Sequence, residues 1–182
     1  MKKILIGIVL SICISCISFA QSFNIDAGVA MDYSDGYDGV VFGGTVDFDY
    51  VLPTNVVIFS NTDFAFGSDL PKVAISEILG AGYRFTISEK FYFQVGGGLG
   101  FVFFDHGDDS NSYSYSEGKA SLYCEAGPAL AAKFGVKFTD LIGMNFGFDA
   151  IYNPVKICSD TDSIDPESHL SIIPKVCFVL SF

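Results

Sequence analysis

The chain has 182 residues, half of them hydrophobic, and a formal net charge of −11 from 10 basic and 21 acidic side chains. That length suits one domain, and so acidic a balance excludes nucleic acid as a partner. Beyond the N-terminal segment no run of 18 apolar residues offers a transmembrane helix, so a chain that crosses a membrane must do so as a closed β-barrel.

The N-terminal segment reads as a leader. Lys2 and Lys3 precede an apolar run from Ile4 to about Ile17, and Ser18-Phe19-Ala20 fits cleavage after Ala20. Residues 1–20 are therefore expected to be a signal peptide and residues 21–182 the mature domain, whose charge falls from −11 to −13 as Lys2 and Lys3 leave. Acylation at Cys16 is the rival reading, but Cys13, Ile14 and Ser15 make a poor lipobox. The mature chain keeps Cys124, Cys158 and Cys177. An odd count at irregular spacing is neither a disulfide framework nor a zinc pattern, and the three read as small apolar residues.

From Phe23 the hydrophobic pattern has period two. Phe23 to Tyr33 puts Phe23, Ile25, Val29 and Met31 opposite Asn24, Asp26 and Asp32. Val40 to Tyr50 sets Phe42, Val46 and Phe48 against Thr45, Asp47 and Asp49, and a tight turn follows at Leu52-Pro53-Thr54-Asn55. In the third strand, Val56 to Phe66, Val57 and Phe59 break the alternation before Asn61 and Asp63 restore it. Val73 to Ile87 carries Arg84 on its polar side, whereas Glu77 falls on the oily side, where a membrane interface would be expected to hold it. Phe91 to Phe104 has Gln94, Gly96, Gly98 and Gly100 on one face, small residues that leave room for bulky ones opposite.

Asp105 to Gly118 is a long acidic connection. Lys119 to Phe138 follows with Glu125, Lys133 and Lys137 on one side, then Ile142 to Tyr152 with Asn145 and Asp149. Asn153 to Ser168 is a second acidic connection, and His169 to Phe182 is the last strand. Pro128 and Pro174 fall inside strands, so each should mark a bulge or a gap in pairing.

The count is eight strands, and tight turns alternate with longer polar connections. The last strand has one wholly apolar face that ends on Phe178, Leu180 and Phe182. It resembles the C-terminal assembly signal of bacterial outer-membrane β-barrels, and the whole mature chain resembles the OmpA/OmpX/opacity class. The fold expected is an all-β, eight-stranded antiparallel up-and-down transmembrane β-barrel. The resemblance implies the bacterial outer membrane, with long loops extracellular, both termini periplasmic, and Phe and Tyr in place of Trp in the interfacial belts. It also implies contact with the barrel assembly machinery, with outer-membrane lipids and with lipopolysaccharide or an equivalent. A soluble lipocalin-like barrel is the structural rival, but it would expose the face bearing Gly96, Gly98 and Gly100.

Three constellations could carry chemistry. His169 and Ser171 share a strand face, and this pair resembles the His-x-Ser of PagL-type lipid A deacylases. Ile172 and Ile173 stand where that family has its oxyanion donors, so a histidine at the barrel rim is the plainer reading. Asp105, Asp108 and Asp109 in one connection, and Asp160, Asp162, Asp165 and Glu167 in another, offer oxygen ligands without the spacing of a calcium loop. Tyr113 and Tyr115 alternate with serines and could edge a protruding sheet, as in the OmpX-like proteins.

By parity the inward set includes Asp26, Asp47, Asp49, Glu125 and Asp149 with Arg84, Lys133 and Lys175. Charges in so narrow a lumen must pair. Lys175 is expected to meet Asp149 and Asp26, and Arg84 to meet Asp47 or Asp49. The reading is a non-enzymatic, monomeric surface barrel without cofactor or metal, whose external loops mediate adhesion, envelope or ligand contacts with a possible extracellular protein partner. The alternatives are a small-solute or hydrophobe channel resembling OmpW and, more remotely, the deacylase-like hydrolase.

Overall fold

The structure, a computed structural model, describes residues 22–34, 40–66, 73–106, 121–158 and 169–182, the side chains of 104–106, 121–123 and 156–158 excepted. The expected leader and the loop residues Asp108, Asp109, Tyr113, Tyr115, Asp160, Asp162, Asp165 and Glu167 lie outside that set.

Alternation along the chain produces strands because each can bury one face. They are β1 (Ser22–Ser34), β2 (Val40–Val51), β3 (Val56–Phe66), β4 (Val73–Thr86), β5 (Phe91–His106), β6 (Ser121–Lys137), β7 (Ile142–Asn153), β8 (Val155–Cys158) and β9 (His169–Ser181). Sequential neighbours from β1 to β7 pair antiparallel, β7 pairs with β9, and β9 returns to β1. Eight long strands thus close an all-antiparallel barrel. Closure leaves no edge along its wall.

Two elements differ from expectation. Asp105 belongs to the backbone of β5 and does not open a loop. The connection after Asn153 is not wholly irregular either, because β8 continues past Pro154 and pairs with β6.

The prolines mark different defects. Between β6 and β7–β8 the ladder runs to Ala129 opposite Ile151 and resumes at Ala126 opposite Val155, a slip of one residue across the unpaired stretch that holds Pro128 on one side and Pro154 on the other. At Pro174 the β1–β9 ladder skips from Ala30–Lys175 to Tyr33–Ile172 without a slip, since proline has no N–H to give.

Three tight turns join β2 to β3, β4 to β5 and β6 to β7 at one end of the barrel. Asn55 closes the first with φ 62°, a left-handed conformation that asparagine tolerates. Ser88 and Thr139 hydroxyls accept backbone N–H bonds in the other two. The chain ends meet at the same end, where Phe23 N donates to Phe182 O at 2.9 Å and Phe182 N to Phe23 O at 2.8 Å.

Outward positions are apolar and exposed, among them Val29 at 67%, Leu130 at 65% and Phe178 at 64%. A wall of this kind has lipid as its natural solvent. Around the turn end, rings pair as a belt: Phe23 with Phe48, Phe85 with Phe93, and Phe91 with Phe134, at centroid separations of 6.1–6.3 Å.

Inside, Val57 and Phe59 point inward and are buried, which accounts for the broken alternation of β3. The Phe59 ring occupies space that β4 and β5 leave empty. A β-carbon on Gly96 would lie 2.5 Å from Phe59 Cε1 and 2.8 Å from Ala81 O. Gly96→Val should therefore lower the unfolding free energy by about 1–3 kcal/mol through overpacking, read by urea titration in detergent micelles. Wild-type stability in that variant would mean that Phe59 does not fill the space.

Candidate functional site: a charged lumen

Around Phe59 the lumen is polar, because among the described side chains every long strand but β5 puts a charged residue on the inward parity. Lys133 on β6 is 1% exposed. Its Nζ lies 3.2 Å from Asp26 Oδ2, 3.0 Å from Asp47 Oδ2 and 3.2 Å from Asp49 Oδ1. Lys175 on β9 reaches Asp149 Oδ2 at 2.6 Å, Asp47 Oδ1 at 2.9 Å and, more loosely, Asp63 Oδ1 at 3.6 Å. Asp47 therefore touches both lysines.

Arg84 and several neutral side chains complete the set. Arg84 Nη2 donates to Asp49 Oδ2 at 3.0 Å and to Gln94 Oε1 at 2.7 Å, while Gln94 Nε2 donates to Asp49 Oδ1 at 3.0 Å. The guanidinium lies over the Tyr92 ring, 4.3 Å from its centroid, a cation–π contact. Asn145 Nδ2 donates to Asp26 at 2.6 Å, Asn61 Nδ2 to both Asp149 oxygens at 3.0 and 3.1 Å, and Thr45 Oγ1 to Asp47 at 2.9 Å. Every strand of the closed barrel contributes to one connected network.

The partners differ in part from those expected. Lys175 meets Asp149, but Asp26 goes to Lys133, and Lys175 reaches instead across to Asp47 and Asp63. Arg84 takes Asp49, one of the two partners expected for it. Glu125 stands apart from the network: its carboxylate faces His169 Nδ1 at 3.2 and 3.3 Å, nearer the long connections.

Asp63, Asn61, Gln94, Tyr92 and Asn145 also belong to the network; alternation sets Gln94 and Asn145 on the inward face and Asn61 and Asp63 on a polar one, but identifies none as a partner of the charged set. Inward parity was the available signal for all five, and in β3 it was obscured by Val57 and Phe59. Asp32, 3% exposed, is a further inward carboxylate on β1.

His169 and Ser171 do share the inward side, and Ser171 is buried. Among the described residues, however, no hydrogen bond joins them; His169 is engaged by Glu125. A histidine held by an acid without a bonded serine lacks the geometry of an activated nucleophile. Of the assembly-signal residues, Phe178, Leu180 and Phe182 are exposed on the outer wall. No group of three or more metal-ligating His, Cys, Asp or Glu side chains occurs among the described residues.

No family model and no curated protein sequence matches the chain. Solved structures do. Neisserial surface protein A superposes with a TM-score of 0.62 at 12% identity, over 88% of this chain and 96% of that one. Ail, the attachment invasion locus protein of Yersinia pestis, in complex with the heparin analogue sucrose octasulfate, gives 0.58 at 14%, over 88% and 98%. The N-terminal β-barrel domain of Pseudomonas aeruginosa OprF gives 0.57 at 16%, over 90% and 98%. The chain thus has the fold of the small eight-stranded transmembrane β-barrels of the bacterial outer membrane, an OmpA/OmpX-like architecture.

Lys133 is the sharpest test of the network. Lys133→Met should strand Asp26, Asp47 and Asp49 and lower the unfolding free energy by about 3–5 kcal/mol. Adding Asp26→Asn should recover part of that loss, since one stranded charge is gone. Equal stability of wild type and Lys133→Met in micelles would mean that solvent already screens the site.

Proposed function

We propose that the protein is a non-enzymatic, closed surface barrel that presents its four longer connections outside the cell, where they meet a partner of positive charge. The observation that supports closure is the pair of lysines: Lys133 and Lys175, from separate walls, both reach Asp47 in the middle of the lumen. A packed, ion-paired interior of this width leaves no open path for solutes.

The connections suggest the partner's chemistry. Residues 35–39, 67–72, 107–120 and 159–168 hold ten carboxylates against the lysines Lys72 and Lys119. Ail shares the fold and was crystallised with a polyanion; so acidic a set of connections would repel such a ligand and attract a basic protein surface. Tyr113 and Tyr115 lie in the longest of these connections and offer contact area at low entropic cost.

Two measurements test the reading. In planar bilayers the wild type should give no steady openings. Well-defined channels would overturn closure and favour the channel alternative, in which case the five aspartates that face Arg84, Lys133 and Lys175 predict selectivity for cations. Cells displaying the barrel, with an epitope after Ser112 to verify surface exposure, should adhere to a basic protein coat and not to heparin. Preference for heparin would reverse the charge argument.

A further inference from the structure

Beyond Pro154 the chain forms β8, four residues that lie antiparallel on the half of β6 farthest from the tight turns. The β6–β7 ladder ends with Ala129 opposite Ile151. Continued without interruption, that register would set Lys156 opposite Cys124. It is interrupted twice. Past Pro154 the pairing has slipped by one residue, so Glu125 faces Lys156; a second irregularity between Cys124 and Glu125 passes over Ile157 and sets Cys158 opposite Cys124. Bulges of this kind re-aim side chains. Here one slip at Pro154, before β8 begins, and one between Cys124 and Glu125 set two of the three cysteines of the described residues opposite each other on paired backbones.

Directly opposed residues of an antiparallel pair have Cα atoms about 4.5–5.5 Å apart and share a face of the sheet. A disulfide needs Cα atoms about 4.4–6.8 Å apart. We propose that Cys124 and Cys158 form a cross-strand disulfide that fastens β8 to β6. Cys177 is no competitor for either. It lies on β9, opposite Gly28 and Asn145, with β7 between it and β6.

The bond rests on the outer-membrane architecture, because a chain bound for that membrane passes through the oxidising periplasm. In the step, the thiolate of one cysteine attacks the disulfide of a periplasmic thiol–disulfide oxidoreductase. The second thiolate then displaces the carrier from the mixed disulfide. Two thiols lose two protons and two electrons, and the carrier leaves as its dithiol.

The consequence is local. Among the described residues β8 is held by three backbone pairings to β6 and has no second neighbour. A covalent tie at its last residue would fix the edge from which the acidic connection 159–168 departs.

Peptide mapping of the full chain, isolated from outer membranes with every accessible thiol blocked by N-ethylmaleimide in denaturant and digested without reduction, tests this directly. The expected product is a Cys124 peptide joined to a Cys158 peptide, two hydrogens lighter than their sum, beside an alkylated Cys177 peptide. Cys124→Ser should leave Cys158 alkylated, and Cys158→Ser should leave Cys124 alkylated, with the barrel still folded by its heat-modifiable gel mobility. Alkylation of both Cys124 and Cys158 in the wild type, or any bridge that includes Cys177, overturns the proposal. Neither result bears on whether the lumen conducts, so the bond and the closed-barrel function fail separately.

Discussion

Asp47 is the carboxylate on which the interior converges. An eight-stranded barrel is only just wide enough for its own side chains, and ions shut inside it must find opposite charge or destabilise the fold by several kcal/mol. Asp47 offers one oxygen to Lys133 and the other to Lys175, so it links the Asp26–Asp49–Arg84 group to the Asp149–Asp63 group. The glycines follow from this arrangement. The Lys175 stem runs where a β-carbon on Gly147 would stand, 2.8 Å from its Cγ, and the Tyr92 ring that lies under Arg84 fills the place of a side chain on Gly135. Small residues on one strand are the counterpart of long charged ones on another.

Satisfaction is uneven along the lumen. Around the two lysines the carboxylates collect several donors each. Buried polar atoms without a hydrogen bond nevertheless occur in both parts: Asp26 Oδ1, Asn61 Oδ1, Asn145 Oδ1 and the Tyr92 hydroxyl within the network, and both oxygens of Asp63, Oδ1 of Asp32 and the side-chain amide of Asn153 farther from the tight turns. Glu125 and His169 form a separate pair in that direction. Beyond Lys175 the interior also holds buried apolar side chains, Ile78, Val102, Ile151 and Ile173, so the packed plug is not made of charge alone.

Period two made the faces legible from sequence, because which side a residue takes depends only on its neighbours along the strand. Hence alternation alone assigns Asp26, Asp47, Asp49, Arg84, Lys133, Asp149 and Lys175 to the lumen. It does not assign their partners. Lys175 lies in register with Ala30 and Gly147 on its neighbouring strands, yet it reaches Asp47 on β2 and Asp63 on β3. Such contacts depend on strand stagger and on closure, which are properties of the whole barrel. Asp63 and Asn61 are legible as a polar face of β3, but two inward apolar residues, Val57 and Phe59, leave open whether that face is the lumen. The pairing of Cys124 with Cys158 depends on two irregularities that no regular pattern foretells.

The outer wall shows the same chemistry turned inside out. Glu77 lies on the outward face of β4, amid Ile75 and Leu79, where an ionised side chain facing lipid is destabilising. What the structure supplies is a pair of hydroxyl partners on β3. Ser60 Oγ donates to Glu77 Oε1 at 2.7 Å and Thr62 Oγ1 donates to Oε2, and Thr62 is the residue directly opposite in the ladder. Charge-assisted bonds from two hydroxyls meet both oxygens. They also explain why β3 carries Ser60 and Thr62 at outward positions that a lipid-facing strand would otherwise fill with apolar side chains. On either face, then, a polar residue is tolerated where a neighbouring or facing strand supplies its partner, and the departures from simple alternation occur in matched sets.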